Sequence, residues 1–348
     1  MLLRENVPLA PLTTIGVGGP SRYFVEAQTA AEVAEAVTFA NTNHLPLFVL
    51  GGGSNLVVSD SGWPGLTLKI SIKGIQERTE NGKAIFQVGA GEDWDRFVAL
   101  TVERNCAGIE CLSGIPGSVG GTPVQNVGAY GQEVSQTIES VLAFDLRDSQ
   151  LRELCNEACS FAYRTSLFNT AEKNRFIILE VTYALQPGGA AHVDYRDLKT
   201  FFAESGHKPT LAATRDAVLK IRSDKGMLIT PGDPDCRSAG SFFKNPVLSP
   251  AQYQNLTALP ASQALQIPTY PAANAQHKVS AAWLVEHSGF PKGYSTGRVG
   301  ISTKHALAIV NKGGATAADV ISLKSQIQGR ARELWGIDLQ PEPEFVGF

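Results

Sequence analysis

An α+β fold is predicted for this chain by three observations. Segments with helical apolar spacing and short apolar runs of strand length interleave along it, without the regular strand–helix–strand series of a doubly wound sheet. The 34 glycines among 348 residues exceed the usual ~7 % and gather in a few loops, which favours close backbone approach to a ligand over low complexity. Hydrophobic residues at 43 % and charged residues at 18 % are ordinary for a globular chain long enough for two or three domains and a sizeable core.

From the N-terminus, Thr29-Ala-Ala-Glu32 has the form of a capping box. It opens a helix with Val33, Ala36, Val37 and Ala40 at helical spacing. The apolar run 45–50 reads as a short buried strand ending in Gly51-Gly-Gly-Ser-Asn55. A strand-like Leu56-Val-Val comes next. Position 56 is leucine where a dinucleotide fingerprint needs its third glycine, and no helix opens there. Two readings of these glycines stand side by side: a plain tight turn, or successive N–H groups forming an anion-binding nest.

Residues 92–105 read as a helix with Trp94, Phe97, Val98 and Val102 on or near one face. Seven glycines then fall within 108–131. In a helix each would cost about 1 kcal/mol, so this is a long loop of small residues suited to a flat ligand. Residues 139–145 and 176–185 read as strands, 194–202 as a short helix, and 212–222 as helical or mixed. The stretch through Asp235 reads as loop.

Next comes Ser238-Ala-Gly-Ser-Phe-Phe-Lys-Asn-Pro246. Gly240 frees the backbone before Ser241, two aromatics shield the lysine and asparagine after them, and Pro246 stops any regular element. Such a segment holds a hydroxyl beside polar groups in a dry pocket, where it can deliver a proton. Residues 250–271 read as surface. Residues 280–287 read as a helix with Trp283 and Leu284 inside, and 305–310 as a strand. Thr316-Ala-Ala-Asp319 opens a helix with Val320, Leu323, Ile327, Ala331 and Leu334 inside, stopped by Gly336.

Composition removes several function classes. The formal net charge is −3 with no basic run, so no nucleic-acid partner is expected. No apolar stretch approaches the ~20 residues of a membrane span, and the N-terminus carries Glu5 and no long apolar core, so neither membrane nor signal peptide is expected. The expectation is a cytoplasmic protein without an obligate protein partner. The five cysteines (Cys106, Cys111, Cys155, Cys159, Cys236) read as reduced thiols. No histidine pair stands at ligand spacing beside Cys155 and Cys159, so no metal is expected. The six histidines (His44, His192, His207, His277, His287, His305) form no motif.

Taken in order, six segments resemble one family: UDP-N-acetylenolpyruvoylglucosamine reductase, the flavoenzyme that completes UDP-N-acetylmuramate in peptidoglycan synthesis. They are Thr13-Thr-Ile-Gly16 with Gly18-Gly19; Leu50-Gly-Gly-Gly-Ser-Asn-Leu56; Gly114-Ile-Pro-Gly with Gln125-Asn-Val-Gly-Ala-Tyr-Gly131; Tyr163-Arg-Thr-Ser166; residues 238–246; and Pro341-Glu-Pro-Glu344. Gly128–Gly131 and Tyr163–Ser166 resemble the form of the family that closes a tyrosine-bearing loop over its substrate. The resemblance implies a two-part FAD-binding region like that of vanillyl-alcohol oxidase, at 1–72 and 73–222. A C-terminal α+β substrate-binding domain at 223–348 would complete the chain, its last residues returning to the active site.

The resemblance also implies non-covalent FAD, with NADPH as co-substrate reducing it before the enolpyruvyl sugar nucleotide enters. Ser241 would protonate the carbon beside the carboxylate, while Arg164 and Glu342 stabilise the enolate-like species. A guanidinium forks onto a carboxylate; a glutamate there must be protonated or paired, or it would repel the developing charge. The FAD diphosphate would lie on Gly51, Gly52, Gly53, Ser54, Asn55 and Leu56. The flavin would run along Ser113, Gly117, Gly121, Thr122, Gln125 and Val127, with Ile178 behind. Tyr130, Tyr195, Lys225, Lys244 and Asn245 would meet the substrate, Tyr130 closing over it. Arg222 would serve NADPH or substrate. Lys225 precedes a longer loop, 226–237, than some members have. His287 stands where some members place a substrate-touching glutamine, and a helix-surface histidine is its other reading. Blander readings accompany the rest: a surface ion pair for Arg164, a turn cap for Ser241, a tail carboxylate for Glu342, with Glu344 two residues on.

Three other functions would leave different marks in the sequence. A flavin oxidase attaching its cofactor covalently would want His or Cys in the glycine loops, where Cys111 is the nearest. A nucleotide-binding module would need no Ser241, Arg164 and Glu342. A serine hydrolase would need a G-x-S-x-G elbow, absent at Ser118 and at Ser241.

Overall fold

The computed structural model describes residues 1–348 except 207, 260, 261, 263, 264 and 273. By contact the chain divides into two compact units. Residues 1–7, 21–53 and 63–224 form the first; residues 8–20, 54–62 and 225–348 form the second.

The first unit contains two larger sheets. One runs in the order Arg4–Pro8, Pro20–Ala27, Trp63–Ile70, Leu47–Leu50, and the last three of these pair in parallel. The helix Ala30–Thr42 buries Val33, Ala36, Val37 and Ala40, the face its spacing predicts. Its cap is not the reciprocal box. Thr29 accepts the N–H of Glu32, but the Glu32 carboxylate accepts from Gln28, one residue earlier. Residues 47–50 are an edge strand, not a buried one: only Leu50 is buried, because nothing pairs beyond them. Gly65 sits mid-strand because a methyl group there would fall 1.9 Å from the Pro46 carbonyl oxygen.

The other sheet is antiparallel, in the order Gln150–Cys155, Ile138–Asp145, Phe176–Pro187, Lys83–Gly89, Ile75–Glu80. The helix Trp94–Glu103 lays Trp94 and Phe97 on Tyr183, with Phe86 against Phe97. Thr101 takes the last buried place and Val102 stays half-buried. The Thr101 hydroxyl is satisfied by the carbonyl of Val98, which makes its burial tolerable. Helices Arg196–Ser205 and Leu211–Asp224 add a small core of Cys111, Tyr130, Leu198, Ala217 and Val218.

In the second unit, strands Ser238–Ser241, Ala308–Asn311 and Val299–Ile301 form one sheet, and Val247–Leu248, His277–Val279 and Thr269–Pro271 another. Helix Ala317–Trp335 starts at a full capping box, Thr316 with Asp319, and ends at Gly336 with φ 66°. It buries Val320, Leu323, Ile327 and Ala331; Trp335 takes the place expected of Leu334. Of the stretch read as surface, Pro250–Ala258 is a helix with its own capping box, and part of the remainder lies outside the described residues. Loop 226–237 is tied down by Lys304 to Asp233 at 2.6 Å and by Asp235, which accepts the N–H and hydroxyl of Thr303.

The N-terminal Thr13-Thr-Ile-Gly16 segment packs in this second unit. Thr14 donates to the carbonyls of Ser238, at 2.6 Å, and Ser54, at 3.2 Å, so one hydroxyl bridges segments 224 positions apart. Among the described residues no helix is long and apolar enough to cross a membrane. All five cysteines are free thiols, and no group of His, Cys, Asp and Glu is arranged to hold a metal ion among those residues.

Candidate active site

The candidate residues fall in both units, and each set is built by its own local chemistry. In the first unit the two glycine loops touch. A methyl group on Gly52 would fall 2.5 Å from the Gly117 Cα and 2.7 Å from the Ser118 nitrogen. Only glycine permits that approach. One on Gly51 would meet the Ser118 hydroxyl at 2.9 Å. Residues 117–120 are laid across the start of helix Trp94–Glu103 by backbone bonds: Trp94 to Gly117, Val119 to Glu92 and Gly120 to Ala90. Gly117 takes φ 136°, which favours glycine. The Ser118 hydroxyl is buried there without a hydrogen-bond partner in the protein. A buried polar atom is normally satisfied, so an orphan beside two apposed glycine backbones marks a place for a polar ligand.

Other hydroxyls in the loop hold the loop itself. Ser113 donates to the Glu110 carbonyl, and Thr122 bonds both the Val119 carbonyl and the Tyr183 hydroxyl. A ligand beside them therefore meets mainly backbone. Gly121 is exposed, and a methyl group on it would touch nothing within 4 Å. Val127 and Ile178 are buried in the core behind, and Gln125 is half-buried. Asn126, which sequence reasoning passed over, donates to Glu133 and Ala162 and accepts from Ser135. It fastens the loop to the turn that carries Tyr163 and Arg164.

That turn closes by a bridge between Ala162 and Thr165. Arg164 sits at its tip with φ 55°, an uncommon conformation for a non-glycine residue that costs about 1–2 kcal/mol. Its guanidinium donates to the Gly128 carbonyl at 2.7 Å and lies over the Tyr163 ring. Tyr130 is buried on the hairpin Gly128–Ala129 and Gln132–Glu133, edge-on to the exposed Tyr195. Burial pushes its phenol up to about 12, although the charge and hydrogen bond of Arg222 pull the other way. Burial likewise draws Arg222 below its usual range, against the opposing pull of Tyr130 and Asp95.

Asp95 anchors the same region. Its carboxylate takes a two-pronged bond from Arg215, at 2.6 and 2.8 Å, and accepts the Gly114 N–H. Burial pushes the carboxyl upward, but Arg215 and Gly114 outweigh it and hold it below the usual range. A lowered value stabilises the fold above the unfolded carboxylate pKa, about 3.9, and the contribution disappears as pH falls through the folded value. Arg215→Ala is therefore expected to lower the melting temperature at pH 7, the deficit shrinking below pH 4; an unchanged deficit would remove this ion pair from the account.

In the second unit, Ser241 is aimed by a bulge. Ser238 pairs with Val310 and Ser241 with Ala308, so strand Ser238–Ser241 carries one residue more than its partner. Gly240 absorbs it at φ 73°. Bulges commonly re-aim a side chain next to an active site. A methyl on Gly240 would meet nothing within 4 Å, so Gly240→Ala is expected to cost only the conformational penalty, about 1–2 kcal/mol, read as a lower urea midpoint.

The C-terminal tail lies beside this segment. Phe243 bridges to Pro341, Lys244 donates its N–H to the Gln340 carbonyl, and Glu342 donates its own to the Phe242 carbonyl at 2.9 Å. Strand Glu344–Val346 then pairs in parallel with Leu56–Val58, and the Asn55 side-chain amide donates to the Glu342 carbonyl at 3.1 Å. Ser54, Asn55, Ser241 and Glu342 are thus carried by three adjoining segments of one unit. Glu342 is half-buried and Glu344 exposed, which favours the former as the functional carboxylate.

Lys225 and Lys244 are half-buried. Asn245 gives its side-chain oxygen to the N–H of Ala281, capping helix Ala281–His287. His287 is exposed, stacked on Trp283, with Nδ1 bonded to the Trp283 carbonyl. The residue missed outright is His305: its Nε2 lies 3.0 Å from the Ser241 hydroxyl. No spacing in the sequence marked it, since 64 positions separate the two.

Similarity to known proteins divides in the same way. A family model described as the C-terminal domain of UDP-N-acetylenolpyruvoylglucosamine reductase matches residues 233–346, and one described as an FAD binding domain matches residues 21–154. The chain is 42% identical to the UDP-N-acetylenolpyruvoylglucosamine reductase of Thermobifida fusca over 99% of this chain and 98% of that one. It is 43% identical to the one from Streptomyces coelicolor, over 99% and 90%. Among solved structures it is similar to the UDP-N-acetylenolpyruvylglucosamine reductase of Thermus caldophilus, with TM-score 0.67, 27% identity, and 99% and 100% coverage.

Proposed function

The chain belongs to the UDP-N-acetylenolpyruvoylglucosamine reductase family, and we propose on that premise that it is the NADPH-dependent FAD enzyme that reduces the enolpyruvyl group of its UDP-sugar to the lactyl ether of UDP-N-acetylmuramate. The observation that carries this reading is the meeting of residues 241–244 with the tail at 340–342. It sets the bulge-aimed Ser241 and the half-buried Glu342 on adjoining segments.

The residues present fit a flavin nucleotide. Gly52 and Gly117 leave bare backbone at their contact, and the orphaned Ser118 hydroxyl lacks a partner there. When bound, FAD passes electrons from NADPH to the enolpyruvyl double bond. The chain's own residues do the rest. Gly51, Gly52, Gly53, Ser54, Asn55 and Leu56 hold the diphosphate, largely through backbone N–H groups. Gly117, Gly121, Gln125 and Val127 line the ring system, with Ser113 and Thr122 fixing the loop and Ile178 behind it. Ser241 delivers a proton to the carbon beside the substrate carboxylate. Arg164 forks onto that carboxylate, and Glu342 steadies the charge that develops.

Tyr130, Tyr195, Lys225, Lys244 and Asn245 receive the UDP-sugar, with Arg222 supporting Tyr130 and His287 at the rim. We keep 1–72 and 73–222 as the two flavin-binding parts and 223–348 as the substrate-binding domain, with residues 8–20 and 54–62 packing in the second unit. A cytoplasmic setting, where NADPH and the sugar nucleotide are found, belongs to the same reading.

A visible spectrum of the purified protein, before and after NADPH without oxygen, tests it. A flavin spectrum that bleaches is the expected result. Protein that is colourless, and stays so with added FAD, contradicts it.

A further inference from the structure

We propose that His305 is a positioning residue that donates its Nε2–H to Ser241 and thereby turns the serine's own proton toward the substrate. The inference rests on the reading of Ser241 as proton donor. The two atoms lie 3.0 Å apart, within hydrogen-bond range. A serine hydroxyl has one proton and lone pairs to accept with. If Ser241 donated to His305, its proton would point at the imidazole and could not reach a substrate carbon. The bond therefore runs the other way, with Nε2 carrying hydrogen. A donor on the serine oxygen also stabilises the alkoxide left when the proton departs.

The backbone around His305 is built to hold the ring in place. The buried Ser302 hydroxyl accepts the N–H groups of Lys304 and His305. Ser302 donates its N–H to the Ala308 carbonyl, and Ala308 donates its own to the His305 carbonyl. Ala308 is the residue opposite Ser241 across the strand pair, and Phe242 donates to Leu307 next to it. The turn between strands Val299–Ile301 and Ala308–Asn311 thus fixes the imidazole against the hydroxyl that the Gly240 bulge aims.

The proton balance is simple. Ser241 loses its proton to the substrate carbon and regains one from solvent before the next turnover, while His305 keeps its own. Two experiments test the assignment. In the flavin-loaded protein, 15N-histidine NMR, with the His305→Gln spectrum to identify the signal, should show Nε2 protonated. A bare Nε2 with hydrogen on Nδ1 overturns the proposal. In rapid mixing, His305→Gln places an amide N–H donor near the same spot and should stay within about tenfold of wild type. His305→Ala should bleach normally with NADPH but be reoxidised by the enolpyruvyl substrate ~10²-fold more slowly, the low end for an acid–base contribution. Alanine at wild-type rate, glutamine as slow as alanine, or slowing of both half-reactions alike overturns it. If wild-type protein itself is not reoxidised by the substrate, the proposed function fails, and the NMR result still decides the direction of the bond.

Discussion

Ser241→Ala is expected to bleach with NADPH at the wild-type rate and then to stall. Its flavin should be reoxidised by the enolpyruvyl substrate at least ~10³-fold more slowly, within the range by which a positioned acid accelerates proton transfer. The substitution removes one oxygen from a half-buried position. The bulge at Gly240 and the pairing with Ala308 depend on backbone alone, so the fold should survive with a loss near 1 kcal/mol, the ordinary net value of about one hydrogen bond. A fast first half-reaction with a slow second separates this effect from unfolding. Product formed at the wild-type rate would remove Ser241 from the chemistry.

Gly52→Ala should act on flavin retention. The methyl would stand 2.5 Å from a backbone atom of Gly117 and 2.7 Å from another of Ser118. Neither is the end of a flexible side chain, and Gly117 is held by its carbonyl bond to the Trp94 N–H. The loops must therefore part. Overpacking of this kind costs about 1–3 kcal/mol. The same movement pulls apart the backbone proposed to hold the cofactor, so the variant should purify with a small fraction of wild-type flavin and need at least tenfold more FAD to refill. Gly121→Ala, where a methyl meets nothing within 4 Å, is the control for the protein itself. Full flavin content in Gly52→Ala would mean the contact does not shape the site.

Most helices were legible because their ends and faces are written locally, but Pro250–Ala258, with one buried residue, was not. Thr316 with Asp319 and Gly336 bracket Ala317–Trp335, and its apolar residues fall every three or four positions. The sheets were less so. Strand Ile75–Glu80 is exposed at all six positions and shows no alternation to read. In Trp63–Ile70, Pro64 and Gly65 give a turn signal that the close approach to Pro46 overrides. Assignment of residues 8–20 and 54–62 to the second unit rests on contacts such as Thr14 to Ser238, which no local pattern encodes.

The site divides the same way. Ser241, Arg164 and Glu342 could be named because their motifs resemble a family. Their fastening could not: Asn126 under the Arg164 turn, Asn55 on the Glu342 carbonyl and His305 on Ser241 are long-range bonds whose pairing no local pattern encodes. The orphaned Ser118 hydroxyl is visible only once the loops are folded together.

On the proposed function, one protein takes electrons from NADPH and gives them to an enolpyruvyl sugar nucleotide. The most direct measurement reduces the flavin-loaded protein with one equivalent of NADPH under argon, then mixes it with UDP-N-acetylglucosamine enolpyruvate while monitoring the visible absorbance. Return of the oxidised flavin spectrum, with one equivalent of UDP-N-acetylmuramate formed, is the predicted result. Flavin that stays bleached until oxygen is admitted, with the enolpyruvyl compound recovered unchanged, would contradict it.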